Sequence, residues 1–259
     1  SIADDAADIL AAIEGGNDSN NQPHTGILND PAYGGATKVA LVGYSQGAIS
    51  SRYYIKNLMG SRKNGAVTVS EFIALAAPTH GAGGTFSCGN ENEPDRSTRA
   101  LCGGRTASLV SQALPCGSCA PGPPPFSTNA AGDAAFLNDL NGHDTSLNCN
   151  ESNIPSPDLE APQSRPDLPD GVLYVNLYAA GNDDLIVGGQ TQSLDCLGRR
   201  LARNHAPNAV NREITGTPIN VHSNFPHHWP TICVTLKTIV NRQAPAGETD
   251  ACQGLTRPQ

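Results

Sequence analysis

This chain of 259 residues has little charge, few aromatic rings and no apolar run long enough to cross a bilayer. Charged residues make up 15% and aromatic residues 5%, with a single Trp and a single Met. Lys and Arg number 16 against 24 Asp and Glu, which leaves a net charge of −8. Nucleic-acid binders and polybasic membrane-surface proteins need clustered cations, so both classes are set aside. A spanning helix needs about 20 consecutive apolar residues, and none is offered. No twelve-residue EF-hand pattern and no internal repeat occurs, so no metal site and no solenoid are expected.

What the chain has in plenty is loop chemistry: 27 Gly and 20 Pro. Apolar residues at 38% suffice for one substantial core, so residues 1–259 are read as a single domain. Eight cysteines are present, Cys88, Cys102, Cys116, Cys119, Cys149, Cys196, Cys233 and Cys252, five of them between residues 88 and 149. That stretch has little core of its own, and disulfides would staple it. Cys116 and Cys119 have C-x-x-C spacing, but the flanking prolines do not suit a redox helix, and a second C-x-x-C for zinc is absent. The expected compartment is oxidising, and the protein is read as secreted.

Along the chain, residues 2–14 carry Ile2, Ala6, Ile9, Leu10 and Ile13 on one face, with acids at the start, an amphipathic helix. Residues 38–43 form a short apolar run, expected to be a strand buried on both faces. Residues 46–59 are helical material, with Ala48, Ile49, Tyr53, Ile55 and Leu58 as its candidate buried positions. Strands are expected around 67–76, at 172–178 and, more weakly, at 210–215. A last helix begins near Pro230, and the tail after Gln243 reads as coil. Residues 82–168 stand apart as a Cys- and Pro-rich insertion with one helical piece around 134–140. This order predicts an α/β fold, a doubly wound and mostly parallel sheet with a disulfide-rich lid insertion.

Gly43-Tyr44-Ser45-Gln46-Gly47 is a G-x-S-x-G pentapeptide, weak by itself. Its position after an apolar strand and before a helix is what a nucleophile elbow requires. There the serine is strained, its hydroxyl projects at the carboxyl end of the sheet, and the following N–H, that of Gln46, becomes an oxyanion donor. Such a serine needs a base, and the base needs an acid, in the order Ser, acid, His. Asp183 and Asp184 follow the 172–178 strand and both qualify. Of seven histidines, His24, His80 and His143 precede that acid, and His205 lies before the last strand. His222, His227 and His228 remain, in one loop between the last strand and the last helix.

These residues resemble the secreted bacterial class 2 lipases, within a wider set of small α/β-hydrolase lipases that includes fungal lipase B types. The stretch 38–56 (KVALVGYSQGAISSRYYIK) looks like that family's strand, elbow and helix. Residues 76–81 look like its P-x-H-G turn, which would make His80 structural, and residues 132–141 are similar to its lid segment. The resemblance prefers Asp184 over Asp183. It prefers His222 as the base, because 222–226 (HSNFP) matches the family's H-x-x-L-P form.

The resemblance implies a lipase or esterase that needs no cofactor, works as a monomer on lipid or small-molecule esters, and contacts a lipid interface. Its catalytic residues would be Ser45, Asp184 and His222, with Gln46 in the oxyanion hole. A polyester depolymerase, an acyltransferase and an inactive binding protein of the same fold are the alternatives. Such proteins carry a further strand and oxyanion loop before the elbow strand. The second oxyanion donor is therefore expected upstream of the chain as given.

Overall fold

The computed structural model describes residues 1–79, 140, 168–179, 208–215 and 222–257. Its centre is a four-stranded sheet of β3 (Val39–Tyr44), β4 (Val69–Leu75), β5 (Leu173–Ala179) and β6 (Ala209–Ile214). The strands lie side by side in that order and every pairing is parallel. Two short strands, β1 (Gly16–Asn17) and β2 (Pro23–His24), form a separate antiparallel ribbon. The helices are α1 (Ile2–Glu14), α2 (Gln46–Asn57), α3 (Trp229–Asn241) and α4 (Glu248–Cys252). An α/β architecture with a parallel sheet is thus observed among the described residues.

Successive side chains of a strand face opposite ways, and β4 and β5 use both faces. Phe72, Ala74 and Tyr174 join Ala6, Leu10 and Ile13 of α1 and Ala48, Tyr54 and Ile55 of α2 in one buried cluster. Ile73, Leu75, Val175 and Leu177 join Phe225, with Cys233 and Val234 of α3 and Ala251 of α4, in another. Helices therefore cover both sides of the sheet. Near-continuous apolar runs in β4 and β5 are the sequence form of that double burial.

Strand β3 departs from expectation. It is the end strand of the described sheet, its Ala40 is exposed, and Val42 is 42% exposed. One face of β3 is open, so an apolar run that looked doubly buried is only singly covered.

Helix α1 starts with a reciprocal cap between Ser1 and Asp4 and buries Ile2, Ala6, Leu10 and Ile13 of the expected face, with Ala11 buried as well and Ile9 only partly so. Its last residue, Glu14, is also buried. The Glu14 carboxylate accepts from the Tyr54 hydroxyl at 2.8 Å, the Thr68 hydroxyl at 3.0 Å, and the Gly60 and Arg62 backbone N–H groups at 2.7 and 3.1 Å. A buried carboxylate is tolerated when its oxygens are this fully satisfied. Burial first, and then the nearby Glu14 charge, push the Tyr54 phenol well above its usual range, so it stays a donor.

Helix α2 turns slightly from its expected face. Tyr54 is fully buried and Tyr53 only partly so, while Arg52 is buried with its Nη2 donating to the Leu140 carbonyl at 3.3 Å. At the C-terminus, the expected coil contains α4, which a disulfide between Cys233 and Cys252 ties to α3. The other six cysteines, and the insertion apart from Leu140 and Leu168, lie outside the described residues. Among those described, no helix is long and apolar enough to cross a membrane.

Candidate active site

Because all four strands run the same way and are paired up to their last residues, their carboxyl ends share one edge. Tyr44 lies opposite Leu75, Leu75 opposite Leu177, and Leu177 opposite Arg212. Ser45 follows β3 immediately at that edge, and β5 and β6 end there at Ala179 and Ile214, with Asp184 and His222 following them in the chain. Ligands of open parallel sheets bind outside this edge.

Ser45 adopts φ 51° and ψ −129°, a conformation that costs a non-glycine residue of order 1–3 kcal/mol. Its backbone N–H still bonds the Leu75 carbonyl at 2.9 Å, so the turn is a continuation of the sheet edge. The sharp reversal brings α2 back over β3 at Gly43, where a Cβ would lie 2.6 Å from the Ala48 Cα. The second glycine of the pentapeptide behaves differently. Gly47 is exposed, and nothing described stands within 4 Å of a Cβ added there. Only Gly43 is needed for the close approach.

Ser45 occupies the cap position of α2, yet its side chain makes no capping bond. Its Oγ lies 2.8 Å from the Nε2 of His222 instead. Gln46 is the first residue of α2, so its N–H is one of the first-turn donors that no carbonyl of the helix can accept. That N–H and the positive end of the helix dipole lie beside the Ser45 hydroxyl.

His222 opens a short 3-10 turn, His222–His227, which Phe225 anchors in the core. The imidazole is largely buried, with His222 8% exposed. The Tyr44 hydroxyl donates to the His222 backbone carbonyl at 2.5 Å, and the two rings lie with centroids 5.2 Å apart, inclined at 36°. His227 ends the turn and is exposed. His228 takes the cap position of α3, and its Nδ1 is buried without a hydrogen-bond partner among the described residues. Of the three histidines the sequence left in competition, His222 is the one joined to Ser45.

Ser45, Gln46 and His222 are therefore brought together. Asp183, Asp184 and His80 lie outside the described residues. Reading the sequence gave Tyr44 no role beyond its place in the pentapeptide. No local signal marks Tyr44, whose partner His222 is distant in sequence. Ala76, which follows β4, is a buried non-glycine residue at φ 46°. Among the described residues no group of His, Cys, Asp and Glu is arranged to hold a metal ion. In comparison with known proteins, no family model and no curated protein matches the chain.

Proposed function

We propose that the protein is a serine hydrolase that cleaves carboxylic esters through an acyl-enzyme. The observation that carries this reading is the 2.8 Å contact between Ser45 Oγ and His222 Nε2, made by a serine in a strained strand-to-helix turn. Nucleophile and base within hydrogen-bond reach are the signature of an activated serine. Strain of this kind persists where surrounding structure enforces it, most often at active sites.

In the proposed reaction, Ser45 Oγ attacks the ester carbonyl while His222 Nε2 accepts its proton. The tetrahedral oxyanion is stabilised by the Gln46 N–H at the start of α2. His222 then gives the proton to the departing alkoxide, leaving an acyl-serine. Water activated by the same imidazole releases the acid and restores Ser45. Asp184 is proposed as the carboxylate that holds the Nδ1–H of His222, so that Nε2 remains an acceptor. It follows β5 in the chain, in the Ser, Asp, His order of α/β-hydrolases.

The resemblance to class 2 lipases makes a lipid or short-chain ester the proposed substrate and residues 82–168 the proposed lid. Secretion is proposed as well, supported by the disulfide between Cys233 and Cys252, a bond that persists in oxidising compartments.

The test is turnover of p-nitrophenyl esters of increasing chain length. Loss of either triad member leaves a small residue of catalysis, so Ser45→Ala and His222→Ala should each lower kcat by about 10⁴-fold or more. Equal turnover by the wild type and Ser45→Ala would refute the proposal. Binding of esters without turnover would favour a hydrolase-fold binding protein in its place.

A further inference from the structure

The residue before the nucleophile is tied to the base. We infer that Tyr44 is a positioning residue that holds His222 by its main chain, a role that rests on reading Ser45 and His222 as nucleophile and base. Tyr44 is the last residue of β3, bonded into the sheet opposite Leu75, so its backbone is fixed by the same ladder that fixes Ser45. Its hydroxyl donates to the His222 carbonyl at 2.5 Å, and its ring lies against the imidazole at 5.2 Å between centroids.

The geometry separates two jobs that one turn must do. Phe225, buried among Ile73, Val175 and Val234, fixes where the 3-10 turn sits against the sheet. It does not fix how far the imidazole stands from Ser45. Tyr44 does, because one end of it is covalently joined to Ser45 and the other is bonded to the backbone of His222. Nucleophile and base are thereby referred to one another through two consecutive residues of β3. Displacing a catalytic group by about 1 Å can cost about 10²-fold in rate, so a tether of this kind acts on chemistry more than on folding.

The role does not require Tyr44 to touch substrate. Its hydroxyl is directed at the His222 carbonyl, on the main-chain side of the base, while the oxyanion donor proposed here is the N–H of Gln46. A residue that acts only through the base should change kcat and leave KM alone.

Tyr44→Phe removes the hydroxyl and keeps the ring, so the packing is retained and the variant should fold. Steady-state turnover of p-nitrophenyl butyrate should show kcat lowered about three- to tenfold, the worth of one such hydrogen bond, with KM unchanged. Inactivation by a fluorophosphonate should slow by the same factor, and the melting midpoint should fall by no more than about 2–4 °C. Tyr44→Leu, which also removes the ring, should lose about 10²-fold in kcat. An unchanged kcat in Tyr44→Phe would overturn the inference. So would a raised KM at constant kcat, which would mark Tyr44 as a substrate contact. A wild type that neither turns over ester nor takes up the fluorophosphonate would instead refute the reading of Ser45 on which the inference stands.

Discussion

Gly43 and Ala48 approach so closely that a Cβ on Gly43 would lie 2.6 Å from the Ala48 Cα and 3.0 Å from its N. This contact is what allows α2 to fold back over β3 and leaves Ser45 at the point of the turn. The nearest atom is backbone, with the Ser51 Oγ a further contact at 3.0 Å, so relief requires the helix itself to move. Gly43→Ala should therefore destabilise the fold by about 1–3 kcal/mol and lower turnover in the molecules that remain folded. Gly47, exposed in the first turn of α2, is the contrast. Gly47→Ala should be tolerated or should stabilise by about 0.5–1 kcal/mol, because alanine loses less freedom in a helix. Urea denaturation of the two variants checks the pair.

Glu14 joins α1, Tyr54, Thr68 and the backbone at Gly60 and Arg62 through one carboxylate. Glu14→Ala would leave those donors buried without an acceptor, each costing about 1–3 kcal/mol unless water enters. A total loss of about 3 kcal/mol or more is expected from urea unfolding. The network lies away from Ser45, so turnover per folded molecule should not change.

Stability should also fall at alkaline pH. Burial, followed by the Glu14 charge for Tyr54 and the Glu213 charge for Tyr178, holds both phenols above their ordinary value. A group whose folded value is raised stabilises fully below its unfolded value, about pH 10 for tyrosine, and loses that contribution as pH rises beyond it. The urea midpoint should accordingly decline above about pH 10, and the decline should be shallower in Tyr54→Phe.

The disulfide between Cys233 and Cys252 closes a loop with a sequence separation of 19 and holds α4 against α3. Crosslinks over loops of this length are worth about 3 kcal/mol. Replacing both cysteines by alanine should lower stability by about that amount, read as a fall in the melting midpoint. A double variant as stable as the wild type would mean that packing around Ala251 holds α4 unaided.

Sequence pattern made legible whatever depended on near neighbours. The spacing of Ile2, Ala6, Leu10 and Ile13 gave α1 and its buried face, and the apolar run at 72–76 gave most of β4. Distant partners decided the rest. Tyr54 rather than Tyr53 turns inward because Glu14 accepts from its hydroxyl and Thr68 Oγ1 lies 2.7 Å from the same oxygen, and Arg52 is buried where the Leu140 carbonyl meets it. An apolar run cannot tell a covered strand from an end strand, which is why the open face of β3 was unexpected. The short α4 was hidden because the bond that holds it depends on a cysteine pairing that spacing does not specify. Within the site, the elbow could be read locally because strain, glycine and helix start fall within five letters. Among His222, His227 and His228 the 222–226 pattern already preferred His222, whereas noticing Tyr44 required the tertiary contact itself.

The central claim is that Ser45 is an activated nucleophile, and covalent labelling tests it most directly. A fluorophosphonate should modify the folded wild type at one site per molecule, and the modified peptide should contain Ser45. Labelling should disappear in Ser45→Ala and slow strongly in His222→Ala. Folded wild-type protein that stays unlabelled, or label that persists in Ser45→Ala, would contradict the account.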